Sequence, residues 1–280
     1  MTLSTELLKN LRGLLICFLA AMILIFSAFF APEIYGENNN LEREAAGEEK
    51  VELTGEEIMD RVDDNQFMAE ARYEAEMVIV SGRRETKKEL ITHLKSDGER
   101  TDALAEFVNP RDRGTRYLLL DEDMWMYYPD AEDLVRISGH MLEQGMMGSD
   151  FSYQDVLEME KLTDLYDFEL EGRDFLFERP VYVIKAAAAE GEEPAYHTRR
   201  LWVDSERFVI LKEHMYAREG RLLKEMITKK VEEVEEGRFM PVEMVMEDKL
   251  RQDTETVYRI TELDLGYRVP EGMLTLDELQ

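Results

Sequence analysis

Cysteine is all but missing from this chain: 280 residues contain one, Cys17, inside an apolar run. A disulfide framework and Cys-ligated zinc are therefore excluded, and the fold must rest on packing. Ile16 stands where a lipidation motif needs a small residue, so Cys17 reads as apolar filler. Histidine is scarce too, and His93, His140, His197 and His214 are dispersed without the spacing of metal ligands. Basic residues are outnumbered, 34 Lys and Arg against 62 Asp and Glu, for a net charge of −28. Such a balance excludes nucleic acid as a partner, because binding a phosphate backbone requires a basic surface. The sequence also lacks a glycine-rich phosphate loop, a G-x-S-x-G elbow and an H-E-x-x-H pair. Asp121, Glu122 and Asp123 read as a solvated hairpin, and Ser138 with His140 has no third partner. The expectation is a binding protein, with neither an enzymatic site, a metal nor a cofactor.

What is present begins with an export segment. Lys9 and Arg12 precede an uncharged run of 18 residues, Leu14 to Ala31. Residues 1–36 are read as a signal peptide, cleaved near Gly36, or as an uncleaved N-terminal anchor, since roughly 20 apolar residues span a bilayer. Residues 37–53 form an acidic linker, and 54–280 a single domain lying outside the cytoplasm. At 44% hydrophobic, with 12 Phe and 12 Tyr, the chain is too apolar for disorder.

Thr54-Gly55-Glu56-Glu57 has capping-box spacing, and Ile58, Met59, Val62 and Phe67 recur at helical period, predicting a helix over about 55–68. From Arg72 the period changes to two. Tyr73, Ala75, Met77 and Ile79 lie on one face of a strand, and eleven comparable segments follow: 87–95, 100–108, 115–120, 123–128, 165–171, 180–187, 197–204, 207–216, 221–230, 238–247 and 255–265. Many strands joined by short turns mean antiparallel pairing, hence a sandwich, a barrel or a strongly curved sheet. One more helix is predicted at 150–161, capped by Asp150 or Ser152. Met240, Val242, Met244 and Met246 share a strand face, in a chain with 17 methionines. Flexible thioethers suit a surface that accepts ligands of varied shape. A curved sheet with so little helix to fill its concave side is expected to hold an apolar cavity.

Residues 107–155 carry four motifs: Phe107, Pro110 and Gly114; Trp125, Tyr127 and Pro129 around Tyr128; Arg136, Ile137 and Ser138; and Met147-Gly148-Ser149-Asp150-Phe151 with Tyr153 and Asp155. In these the chain resembles the outer-membrane lipoprotein-sorting proteins of the LolA-like (LolA/LolB) superfamily, in the larger branch with the MGSDFxYxD motif. Looser similarity runs through Leu201-Trp202-Val203-Asp204 and from Gly220 to Lys224. Where the family tends to be basic, this chain has Asp130, Glu132 and Asp133, which removes an expected contact with anionic headgroups.

The resemblance implies a mainly β fold with few helices: a half-open antiparallel β-barrel with a helical lid and an apolar cavity. It implies a periplasmic carrier that binds acyl chains of lipoproteins or free lipid, receives them from an inner-membrane transporter and moves them toward the outer membrane. The alternative is an envelope-stress sensor or regulatory lipid-binding module acting on a membrane partner. Candidate cavity or lid residues are Met77, Trp125, Tyr127, Met146, Met147, Gly148, Phe151, Tyr153, Met240, Met244 and Met246. The segment from Met141 to Asp155 is expected to be the mobile lid, with Gly145 and Gly148 as hinges.

Overall fold

The computed structural model describes residues 53–120, 123–159 and 162–279. The export segment with Cys17, the linker up to residue 52 and the Asp121-Glu122 turn lie outside the described residues.

The first element is helix α1 (Gly55–Gln66). The Thr54 hydroxyl accepts from the Glu57 N–H and the Glu57 carboxylate accepts from the Thr54 N–H, so the expected capping box forms. Ile58, Met59 and Val62 are fully buried, packed with Phe168, Ile184 and Leu201 of the sheet. Glycine at position 55 is dictated by that approach, because a Cβ there would stand 2.6 Å from the Phe168 carbonyl oxygen.

Thirteen strands follow: β1 (Glu70–Ser81), β2 (Arg84–Ser96), β3 (Thr101–Phe107), β4 (Arg116–Leu120), β5 (Asp123–Tyr128), β6 (Asp133–Ile137), β7 (Tyr166–Leu176), β8 (Arg179–Ala188), β9 (Thr198–Asp204), β10 (Ile210–Tyr216), β11 (Leu222–Glu235), β12 (Arg238–Asp248) and β13 (Thr254–Asp264). They form one antiparallel sheet in the order β6-β5-β4-β3-β2-β1-β13-β12-β11-β10-β9-β8-β7. β13 returns to pair with β1, joining the two halves, and the free edges β6 and β7 leave the barrel half-open. Strand β6 escapes the periodicity reading because it is five residues long and exposes Asp133 and Arg136.

The sheet is not uniformly knit. β12 and β13 pair only over Glu243–Met246 with Arg259–Thr256. Beyond that point β13 shifts register against β1 between Glu74 and Ala75, leaving Thr261 as an extra residue, and residues 238–242 have no ladder to 260–264.

Between β6 and β7 the chain crosses the concave side. Two 3-10 turns, Gly139–Met141 and Met146–Gly148, lead into α2 (Tyr153–Glu158), and α3 (Leu162–Leu165) precedes β7. The helix expected over 150–161 is thus shorter. Its cap is Ser152, whose hydroxyl accepts from the Asp155 N–H while the Asp155 carboxylate accepts from the Ser152 N–H. A last turn, α4 (Leu276–Leu279), buries Leu279 completely against Leu104 and Leu118. Four residues are too few to announce themselves by period.

Candidate functional site

Alternation along β1 to β5 sends one set of side chains to the concave face and the other outward. Met77, Leu90, Leu94, Ala105, Phe107, Leu119 and Met124 meet there with Met240, Met244, Tyr258 and Ile260 from the joining strands, and Met146, Phe151, Val156 and Met159 cover them. They enclose a cavity of about 220 Å³. Its lining is almost wholly apolar, Gln66 and Thr92 being the amide and the aliphatic hydroxyl among it. Met159, 42% exposed, marks the opening beside Gln66 and Met68.

Tyrosine hydroxyls in the wall are tied off rather than offered. Tyr117 donates to the Met147 sulfur at 3.1 Å and shares a hydrogen bond with the Tyr153 hydroxyl at 3.2 Å. Burial pushes the Tyr117 hydroxyl well above the usual phenol range, so it stays protonated. A chamber lined by neutral, mostly apolar side chains can hold a hydrocarbon chain. Among the described residues, no group of three His, Cys, Asp or Glu is arranged to hold a metal ion.

The roof has two unequal halves. From Gly139 to Gly148 the chain makes tight turns with every residue half-buried or exposed. Gly148 has φ +84°, and Met147 adopts φ 53°, uncommon for a non-glycine residue. Gly145 is needed for space, since a Cβ would lie 2.1 Å from the Ser149 carbonyl oxygen. From Ser149 to Ser152 the chain is buried. The Asp150 N–H donates to the Thr256 hydroxyl at 2.9 Å, and that hydroxyl donates back to the Asp150 carboxylate at 2.7 Å.

Asp155 accepts from the Tyr196 hydroxyl at 2.6 Å and from Lys224 at 2.5 Å. Behind it, Arg199 bridges Glu213 at 2.7 Å and Glu158 at 3.1 Å, with Tyr166 and Tyr196 rings each 5.0 Å away. The Glu213 carboxylate and its neighbours more than offset the burial of the guanidinium and hold Arg199 firmly protonated. The second half of the MGSDFxYxD block is therefore tied into the sheet, and the left-handed backbone of Met147 and Gly148 lies in the half before it.

That division gives a prediction. Amides of 149–155 should exchange as slowly as those of the strands, while those of 139–148 exchange fast and slow down once an alkyl ligand fills the cavity. Slow exchange across 139–148 before ligand is added would show that no part of the roof is a lid.

The structure brings Met77, Met146, Phe151, Met240 and Met244 together on the cavity. Met147 and Tyr153 stand one layer behind, through Tyr117, and Gly148 turns the roof without reaching the chamber. Met246 is buried beside Phe151, Tyr196 and Met215. Trp125 and Tyr127 do not line the cavity; they share the outward face of β5 and pack with Leu134, Met273 and Leu276. Period 2 groups residues by face without saying which face is concave, and Met124 and Met126 hold the inner positions. Leu90, Leu94, Tyr258 and Ile260 join them on the cavity, and Leu90, Thr92 and Leu94 alternate in the sequence as a wall strand should.

A family model described as "Uncharacterized protein" matches residues 99–280, more than half of the chain. No curated protein matches at a significant level. Among solved structures, a DUF1329 family protein from Desulfovibrio piger is 26% identical, with a TM-score of 0.75 over 81% of this chain and 98% of that one. A putative outer membrane lipoprotein-sorting protein domain from Vibrio parahaemolyticus is 21% identical, with a TM-score of 0.72 over 80% of this chain and 97% of that one. A LolA superfamily protein from Nitrosomonas europaea is 20% identical, with a TM-score of 0.66 over 81% and 100%. The half-open barrel is thus the fold of the LolA superfamily.

Proposed function

The chain belongs to the family described as uncharacterized proteins that its residues 99–280 match, and from there we propose that it is an exported carrier that shelters one hydrocarbon chain at a time. The observation that carries this reading is the apolar cavity between the sheet and the 139–159 roof. At about 220 Å³ it is smaller than the roughly 300–1,000 Å³ of a drug-sized site, which suits a single chain rather than a whole multi-chain lipid. Resemblance to a lipoprotein-sorting domain supports cargo of the acyl type, and resemblance to the LolA superfamily supports passage across the periplasm toward the outer membrane.

Location follows from the leader. Lys9 and Arg12 before the run from Leu14 to Ala31 direct residues 54–280 out of the cytoplasm. Among the described residues no helix is long and apolar enough to cross a membrane, so retention at the inner membrane depends on whether 14–31 is removed. An inner-membrane transporter is the expected donor of cargo. Native mass spectrometry of the protein purified from a membrane-containing extract should show one lipid or acylated peptide per chain. Protein that arrives only as the bare polypeptide, under conditions that preserve a known lipid carrier loaded, contradicts the reading.

A further inference from the structure

Among the described residues, the cavity wall holds five side chains with a nitrogen or oxygen atom: Gln66, Tyr73, Thr92, Tyr117 and Tyr258. The three tyrosine hydroxyls already have partners, Tyr117 with Tyr153, and Tyr73 with Tyr258. Gln66 is half-buried at the opening, where water can serve its amide. Thr92 differs from all of them. It is 4% exposed, and its hydroxyl makes no hydrogen bond to any described residue.

The register explains why the hydroxyl has no partner. Thr92 stands on the concave face of β2 between Leu90 and Leu94, opposite Tyr73 of β1 and Ala105 of β3. Ala105 has no acceptor to offer, and the Tyr73 hydroxyl is engaged with Tyr258. Nor is the Thr92 hydroxyl sealed into packing, as the Thr254 hydroxyl is; it opens on the chamber. A buried hydroxyl without a partner destabilises the empty protein, and a ligand that brings an acceptor recovers that loss on binding.

The surroundings restrict what the acceptor can be. Among the described residues, no lysine, arginine, aspartate or glutamate lines the chamber, so a carboxylate or phosphate carried to Thr92 would lose its water without gaining a counter-charge. A neutral carbonyl oxygen accepts the hydroxyl proton free of that penalty. Depth agrees with this chemistry. The opening lies at the Leu94 end of β2, since Met68 precedes Ala69, whose carbonyl accepts from the Ser96 N–H at 2.8 Å. Residues advance about 3.3 Å each along a strand, so Thr92 is roughly 7 Å inside Leu94, and Leu90 as far again. A carbonyl bonded to Thr92 therefore sits just within the mouth, its hydrocarbon tail running on toward Leu90, Phe107 and Met124 and its head directed to Gln66.

We propose that Thr92 is a specificity-determining residue that donates to the carbonyl of an acyl group, so that the cargo is a neutral acyl ester or acyl amide rather than an alkyl ether or an isoprenoid. This rests on the carrier reading above and adds the group that joins chain to head.

Three neutral probes, each below its micellar concentration, isolate that group: 1-O-decylglycerol, an ether; 1-monodecanoylglycerol, the matching ester; and N-decanoylserinol, an amide with a comparable diol head. The better of the two acyl probes should bind about fivefold more tightly than the ether, the effect of one neutral hydrogen bond, and which of them it is tells ester cargo from amide cargo. Thr92→Val keeps the shape and removes the hydroxyl. It should weaken the acyl probe alone, to within about twofold of the ether, with a melting temperature no lower than that of the parent. Thr92→Ser should keep the preference. Parent protein that binds the ether as tightly as both acyl probes, an acyl preference that survives Thr92→Val, or one that Thr92→Ser abolishes, overturns the proposal and leaves the carrier reading standing. Failure of all three probes to bind the parent overturns the carrier reading itself and this extension with it.

Discussion

Replacing Arg199 with leucine should destabilise the domain by about 3–5 kcal/mol, the largest effect expected of any single change outside the apolar core. The guanidinium is almost completely enclosed and bridges two carboxylates, Glu213 and Glu158, which are themselves 3% exposed. Leucine fills comparable space but leaves two buried negative charges without a counterion. Those carboxylates must then either take up protons or open the packing between α2 and β9–β10. Urea unfolding at pH 7 would measure the loss. Arg199→Leu combined with Glu213→Leu and Glu158→Gln should recover a large part of it, because an apolar replacement of a whole buried ion cluster is often neutral. A single Arg199→Leu variant within 1 kcal/mol of the parent would mean that the cluster is wet and contributes little.

Met244→Glu should cut affinity for a neutral alkyl ligand by at least about a hundredfold while the far-ultraviolet circular dichroism stays the same, since placing a charge in an apolar chamber costs several kcal/mol or forces the group to stay protonated. Met244 is 8% exposed, so the substitution carries a risk to folding. Val156→Glu supplies the independent case: it faces the same cavity from α2 but is half-buried, and should lose binding with the melting temperature nearly intact. Binding retained in both variants would place the ligand elsewhere.

The strands were legible because each half-buried strand alternates, as β1 does from Tyr73 to Ile79. Residue type told less about orientation. Trp125 and Met124 are neighbours in one strand, and only the curvature of the assembled sheet decides that methionine faces the cavity while tryptophan faces the C-terminal segment. The tie between roof and sheet was hidden for a different reason. Asp150 and Thr256 are 106 positions apart, and neither residue alone differs in the sequence from an ordinary cap or strand threonine. Arg199, Glu213 and Glu158 likewise look like solvated charges until the fold removes their water. The methionine stripe of β12 pointed to the cavity, yet the same four residues divide: Met240 and Met244 line it, Val242 is buried beside a neighbouring groove and Met246 is packed below.

The central claim, that the concave chamber holds a hydrocarbon chain, is tested most directly by the dependence of affinity on chain length. Calorimetric titration with alkyl maltosides from six to sixteen carbons, all below their micellar concentrations, removes headgroup charge from the comparison. Each methylene that enters the cavity should contribute about 0.8 kcal/mol, close to fourfold in Kd, until the chamber is full and the series levels off. A stoichiometry of one, this slope and a plateau are the result expected of a closed apolar cavity of fixed volume. Affinity that does not change with chain length, or the absence of saturable binding by any member, would show that the chamber is ordinary core and that the molecule carries nothing there.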